Sequence, residues 1–155
     1  MTELPRIAVR IDCDLPVSGS AHWDGSRWVI TLNGADGRLR RRFSLMHEFK
    51  HIIDHTTKGY LYGTGIAVEA AERSERAADY FAACLLMPKQ YVKRLWGQGV
   101  QRPQQLARHF DVSVQALRYR LDQCGLTDRR RCPVQSLNRM TRYLRQGPPS
   151  AMEAA

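Results

Sequence analysis

The segment His47-Glu48-Phe49-Lys50-His51 lies inside a stretch of helical period, and this combination constrains the chain more than any other feature. Leu45, Met46, Phe49, Ile52 and Ile53 fall within an arc of roughly 120° on a helical projection. His47, Glu48, His51, Asp54 and His55 lie opposite them. Residues four apart on a helix sit one above the other, so both imidazoles can reach one cation. Glu48 then lies beside the ion, where it can take a proton from water bound there. An HExxH pattern arises by chance on the order of once in a few hundred chains of this length. The competing reading is a solvated polar face with ordinary histidines.

The chain before this helix has a different period. Ile7, Val9, Ile11 and Cys13 alternate with Arg6, Ala8, Arg10 and Asp12, as a half-buried strand does. Residues 21–23 and 26–32 flank Asp24-Gly25, a two-residue hairpin signal whose central positions favour positive φ. Asn33-Gly34 and Asp36-Gly37 mark the exit from the sheet. Residues 56–65 carry three glycines without a period and read as a loop. Helix resumes near Ala67 and stops at Pro88, with Ala77, Tyr80, Phe81, Cys84 and Leu85 as its expected core stripe. Two short helices follow, Pro103–Phe110 and Ser113–Cys124, with Ser113 as N-cap of the second.

The expected fold is therefore α+β. A small antiparallel β-sheet, a meander, packs on the HExxH helix, and further helices include a helix-turn-helix-like pair. Residues 1–97 form the core, 98–126 the helix-turn-helix-like part, 127–146 a basic helical extension and 147–155 a disordered tail.

At 155 residues and 43% apolar content, the chain can bury a core without staples. No apolar run approaches the roughly 18 residues of a membrane span, and the N-terminus lacks a signal-peptide layout. The four cysteines, Cys13, Cys84, Cys124 and Cys132, show neither zinc-ribbon nor redox spacing. Free thiols in a reducing cytoplasm are the plain expectation. The net charge of +9 is mostly arginine, with runs at Arg40–Arg42 and Arg129–Arg131. Such a surface attracts nucleic acid weakly or acidic proteins, or is simply solvated.

A zinc hydrolase needs a third protein ligand and an open position for water. A metzincin would carry glycine at 54 and histidine at 57, but these are Asp54 and Thr57. The acidic helix that follows offers Glu69, Glu72, Glu75 and Asp79. Glu75 and Asp79 lie opposite that helix's expected core stripe, and the small Ala78 and Ala82 would let two helices approach closely. Glu75 is the preferred ligand and Glu72 the alternative. Asp79 is the acceptor that orients a ligand histidine through its other ring nitrogen. His55, at i+8 from His47, is roughly 12 Å along the axis and too distant to share the ion; a helix-terminal dipole contact suits it better. Tyr60, Tyr62 and Tyr80 are oxyanion candidates by residue type alone.

These residues resemble the ImmA/IrrE family of metallopeptidases. The likeness rests on residues 42–51, on Glu75-Arg76-Ala77-Ala78-Asp79 through Met87-Pro88, on residues 105–113, and on the stretch from Arg120 to Leu126. The resemblance implies a glutamate ligand at Glu75, so that His47, His51 and Glu75 hold zinc and Glu48 is the catalytic base. It implies a cytoplasmic endopeptidase whose substrate is a helix-turn-helix repressor, cleaved to relieve repression in stress-response or toxin–antitoxin settings. Lys50 stands where the family usually has glycine, and Ser44 replaces a commoner threonine. Lys50 either alters substrate choice or points to solvent.

Two rivals remain. Residues 104–125 read as a DNA-binding helix-turn-helix, with Gln115, Arg118, Tyr119 and Arg120 able to touch bases or phosphates. The metal site would then be structural. A catalytically silent zinc sensor is the other, against which the intact Glu48 argues.

Overall fold

In the computed structural model, the described residues are 6–63 and 67–126. Three strands, β1 (Ile7–Asp12), β2 (Gly19–Trp23) and β3 (Trp28–Asn33), precede six helices: α1 (Arg38–Asp54), α2 (Lys58–Tyr62), α3 (Ala67–Leu86), α4 (Lys89–Gly97), α5 (Pro103–Phe110) and α6 (Val114–Cys124). The fold is α+β. The expected segments 127–146 and 147–155 lie outside the described residues.

The sheet is mixed where an antiparallel meander was expected. Its order is β1-β3-β2, with β1 parallel to β3 and β2 antiparallel to it. The cause is the link at residues 13–18. It turns on an Asx contact, Asp14 N–H to Asp12 Oδ1 at 2.9 Å, and then carries the chain past β3 to its far edge. The hairpin between β2 and β3 forms as expected, but with a longer turn. Asp24 N–H donates to Arg27 C=O (3.0 Å), and Asp24 Oδ1 accepts from the backbone N–H of Ser26 and of Arg27, both at 2.9 Å. Only Gly25 takes positive φ, at 101°. The Asp24 carboxylate replaces the second left-handed residue that a two-residue turn would need. Val9 and Ile11 are 51% and 64% exposed, against the expected burial. Helix α1 packs across β2 and β3, so the face of β1 overhangs it.

Helix α1 is the shared wall of two cores. On one side Ile30, Leu32 and Ile52 pack with Ile7, Ala21, Leu45 and Phe49. On the other, Phe43 and Met46 pack against a cluster from the end of α3 and from α4, α5 and α6, including Met87, Val92, Leu106, Leu117 and Leu121. Burying either cluster removes apolar surface worth ~25 cal/mol per Å², so the helix is gripped from both sides.

Helix α3 buries a different face from the one its large apolar residues suggested. Ser74, Ala78 and Ala82 are sealed, whereas Tyr80 and Leu85 are 54% and 50% exposed. Small side chains let α3 lie close against α1, and this proximity brings the α3 carboxylates to the α1 histidines. Size decided the buried face.

The helix-turn-helix-like pair forms as expected. Ser113 Oγ accepts from Ala116 N–H at 3.1 Å, and Gly125 ends α6 at φ 72°. The turn between the helices is tied to α1. Asp111, left-handed at φ 54°, receives the Arg38 guanidinium bidentately, and Arg42 Nη1 donates to the Phe110 and Asp111 carbonyls at 2.7 and 2.8 Å. Arg40 reaches Ser18 and Asp36, and Arg41 reaches the Gly34 and Asp36 carbonyls. The 40–42 run is thus internal fastening. Among the described residues no helix is long and apolar enough to cross a membrane.

Candidate metal centre

His47, His51 and Glu75 converge. His47 Nε2 lies 3.0 Å from His51 Nε2 and 3.2 Å from Glu75 Oε2, and His51 Nε2 lies 3.3 Å from Glu75 Oε1. Glu72 is exposed, and its side chain lies 3.9 Å from Arg76 Nη2. The third donor is therefore on the α3 turn that the small-residue face presses against α1.

The donor set fits a tetrahedral zinc ion. Bonds of about 2.0–2.1 Å place donor atoms about 3.3 Å apart along each tetrahedral edge, close to the three separations seen. The hydrogen bonding agrees. A carboxylate can only accept, so His47 Nδ1–H donates to Asp79 Oδ1 at 2.9 Å. In neutral His47 the lone pair is then on Nε2, aimed at His51 Nε2 and Glu75. His47 Nε2 and the Glu75 carboxylate, two facing acceptors, call for a proton or a metal ion between them. Burial opposes a charged His47, yet hydrogen bonds and charge from Asp79 and Glu75 raise its pKa to about 10. Hydrogen bonds from His47 and His51 hold Glu75 far below the usual carboxylate range. The surroundings favour positive charge at the centre, which a proton or a metal ion can supply.

Glu48 lies beside the three donors and, with them, lines a cleft of about 630 Å³. Burial pushes its carboxyl pKa up. Gly19 on β2 faces it so closely that a Cβ there would lie 3.0 Å from Glu48 Cγ and 3.3 Å from Oε1. Only glycine leaves that carboxylate undisturbed. The cleft follows α1 from Leu39 through Phe43, His47, Glu48 and His51 to His55. That span is about 24 Å at 1.5 Å per residue. The edge strand β2 and the preceding residues Val17 and Ser18 form one side, and the start of α6 the other.

Several sequence expectations change here. Lys50 neither lines the cleft nor points to solvent; its Nζ donates to the buried Asp54 at 2.5 Å. Tyr62 donates to the other Asp54 oxygen at 2.5 Å, Tyr60 is 91% exposed, and the Tyr80 ring is 6.0 Å from the Arg120 guanidinium. None of the three tyrosines lines the cleft. Residues 58–62, expected as loop, form α2, which Tyr62 fastens to Asp54. His55 ends α1 and stacks edge-on against Trp28 at 4.8 Å. Arg120, which the rival DNA-binding reading makes able to touch DNA, is 4% exposed and donates to Met87 C=O at 2.9 Å. Gly19, Leu39, Phe43 and the first turn of α6 were missed. Leu39 and Phe43 continue the four-residue row back from His47 and could have been found by that period.

A helix bearing two histidines, a second helix bearing the acidic donor, and a flanking edge strand define a metallopeptidase-type fold. The profile of the IrrE N-terminal-like domain, a peptidase family, matches residues 8–122, and the chain belongs to that family. No curated protein matches it. A solved Mycobacterium tuberculosis transcriptional regulator shares the fold, with a TM-score of 0.64 at 21% identity over 75% of this chain. The match spans 36% of that protein's length.

Proposed function

We propose that this chain is a zinc-dependent endopeptidase whose substrate is a cytoplasmic helix-turn-helix repressor, inactivated by cleavage. The observation that carries the reading is the convergence of His47, His51 and Glu75 with Glu48 beside them in an elongated cleft. His47, His51 and Glu75 would hold the zinc, which when bound supplies Lewis acidity and makes water a nucleophile near neutral pH. Glu48 accepts the proton of the attacking water and passes it to the departing amine. Its burial helps, because a carboxylate of raised pKa is the better proton acceptor. Asp79 fixes the His47 ring through Nδ1 and keeps Nε2 free to bind. The edge of β2, unpaired among the described residues, offers backbone groups to an extended peptide. The cleft continues past the donors toward both Leu39 and His55, which suits internal bonds rather than chain ends.

The repressor as target comes from the family resemblance. The DNA-reading alternative draws support from the formed α5–α6 pair, and is weakened by the burial of Arg120 and the placing of Gln115 in the cleft.

Glu48→Gln tests the reading. The variant is expected to retain about one zinc per chain while peptide hydrolysis falls at least ~100-fold, as loss of a general base does. Unchanged hydrolysis would remove Glu48 as base, and wild-type protein that takes up no zinc would overturn the assignment.

A further inference from the structure

The end of the cleft nearest the start of α1 is not built like the rest. There Leu39 and Phe43 from α1 face Val112, Ser113, Gln115 and Ala116 from the α5–α6 turn and the first turn of α6. Val112 and Ala116 are 4% and 6% exposed and belong to the core cluster, so the floor is rigid and apolar. Ser113 and Gln115 are exposed at its mouth. The opposite end, by Trp28, His55 and Lys58, is aromatic and basic. A peptide lying along α1 therefore meets an apolar recess one to two helical turns from His47 on one side only.

The recess is held in place from outside. Asp111 receives Arg38 bidentately, and Arg42 takes the Phe110 and Asp111 carbonyls. These contacts lock the α5–α6 turn onto the first turns of α1, the same turns that supply Leu39 and Phe43. Both walls of the recess are thus joined through one clamp, which fixes its width.

We infer that the helix-turn-helix-like pair is the specificity wall of the cleft, and that its recess takes a bulky aliphatic side chain of the peptide substrate. This rests on the peptidase reading and names the class of sequence that site prefers. A recess floored by Val112 and Ala116 rewards apolar burial and offers nothing buried for a charged side chain to pair with, since Arg40, which also lines this end, is turned to Ser18 and Asp36. Burying a leucine side chain that glycine lacks is worth about ten- to hundredfold in affinity. Arg38, Arg42 and Asp111 are positioning residues: they touch no substrate but set the wall.

The test is binding, read by fluorescence anisotropy on zinc-loaded Glu48→Gln protein so that peptides are not consumed. Fluorescein-labelled heptapeptides carry Leu, Gly or Asp at each position in turn. One position should prefer Leu over Gly by at least ~tenfold and reject Asp. Adding Ala116→Leu, which fills the recess, should collapse or invert the Leu-to-Gly ratio; a merely structural fault would weaken all peptides alike. Gln115→Lys, at an exposed position that the fold does not need, should raise affinity for Asp at a neighbouring position. Peptides bound without any Leu preference, or ratios unmoved in both variants, would overturn the wall. Selective binding without wild-type cleavage would count against the peptidase reading alone and leave the wall standing; failure to bind any peptide would overturn both.

Discussion

Among single residues, Glu75 and Asp54 make the clearest demands. Glu75 is the donor that the sequence left contested with Glu72, since both lie on one helix and spacing alone does not orient that helix. The α1–α3 packing decides it geometrically: Glu75 reaches both ligand nitrogens. Glu75→Ala is expected to lower zinc affinity by well over ~tenfold, because one of three protein donors is gone. Competition against a chromogenic chelator measures it, and unchanged affinity would send the third donor elsewhere. By sequence alone Asp54 is one member of the polar face of α1. It is 3% exposed and takes both Lys50 Nζ and Tyr62 O–H. Burial works against its charge, yet Lys50 and Tyr62 together hold its pKa below the ordinary value. A depressed carboxylate adds stability that is complete above the unfolded-state pKa and is lost as pH falls through the folded one. Burial and the Asp54 carboxylate push Tyr62 up to about 12, so its contribution is lost only as pH rises toward that value. Asp54→Ala should cost about 3 kcal/mol, since Lys50 is left half-hidden without its partner. Denaturant melts at pH 7 and pH 3 check this: the gap between wild type and variant should shrink in acid.

Elements were legible where period and capping chemistry decide, and less so where the choice of neighbour does. The HExxH helix, the long acidic helix and the Ser113 cap follow from period and capping chemistry. The α3 face that meets α1 was legible from the small Ala78 and Ala82, whereas the burial expected of Tyr80 and Leu85 was not met: both are half exposed. The parallel pairing of β1 was also hidden, since the alternation of Ile7, Val9 and Ile11 states that a strand exists and is silent on which neighbour it takes. The α1–α3 contact carries its own test. Ala78 is fully buried on the helix that packs against α1, and Ala78→Leu is expected to push the two apart. Overpacking of this kind costs about 1–3 kcal/mol. The same displacement draws Glu75 and Asp79 away from His47, so zinc affinity should fall about tenfold or more, as when the groups that orient a ligand are lost. A variant that melts lower yet binds zinc as tightly would show that the carboxylates do not depend on this contact.

For the whole molecule, the charge of +9 and the α5–α6 pair invite a DNA-binding reading, and the fold assigns much of both to other work. Arg38 and Arg40 through Arg42 fasten the α1 region to Asp111, Asp36, Ser18 and nearby carbonyls. On α6, Arg120 is buried against Met87 and Gln115 borders the cleft, leaving Arg118 and Tyr119 of the residues first marked for base contact. A recognition helix must bring three or four side chains to base edges in the major groove. One whose first turn walls a cleft presents too few. Counterion release still gives a basic chain some affinity for any duplex, and that affinity falls steeply with salt. The expected outcome of a mobility-shift titration is therefore weak binding at ~50 mM salt, equal on unrelated duplexes and gone by ~200 mM. Binding that survives the higher salt and distinguishes one duplex from others by ~1000-fold would instead mark a sequence reader. That result would place the α5–α6 pair on DNA and leave the cleft without its wall.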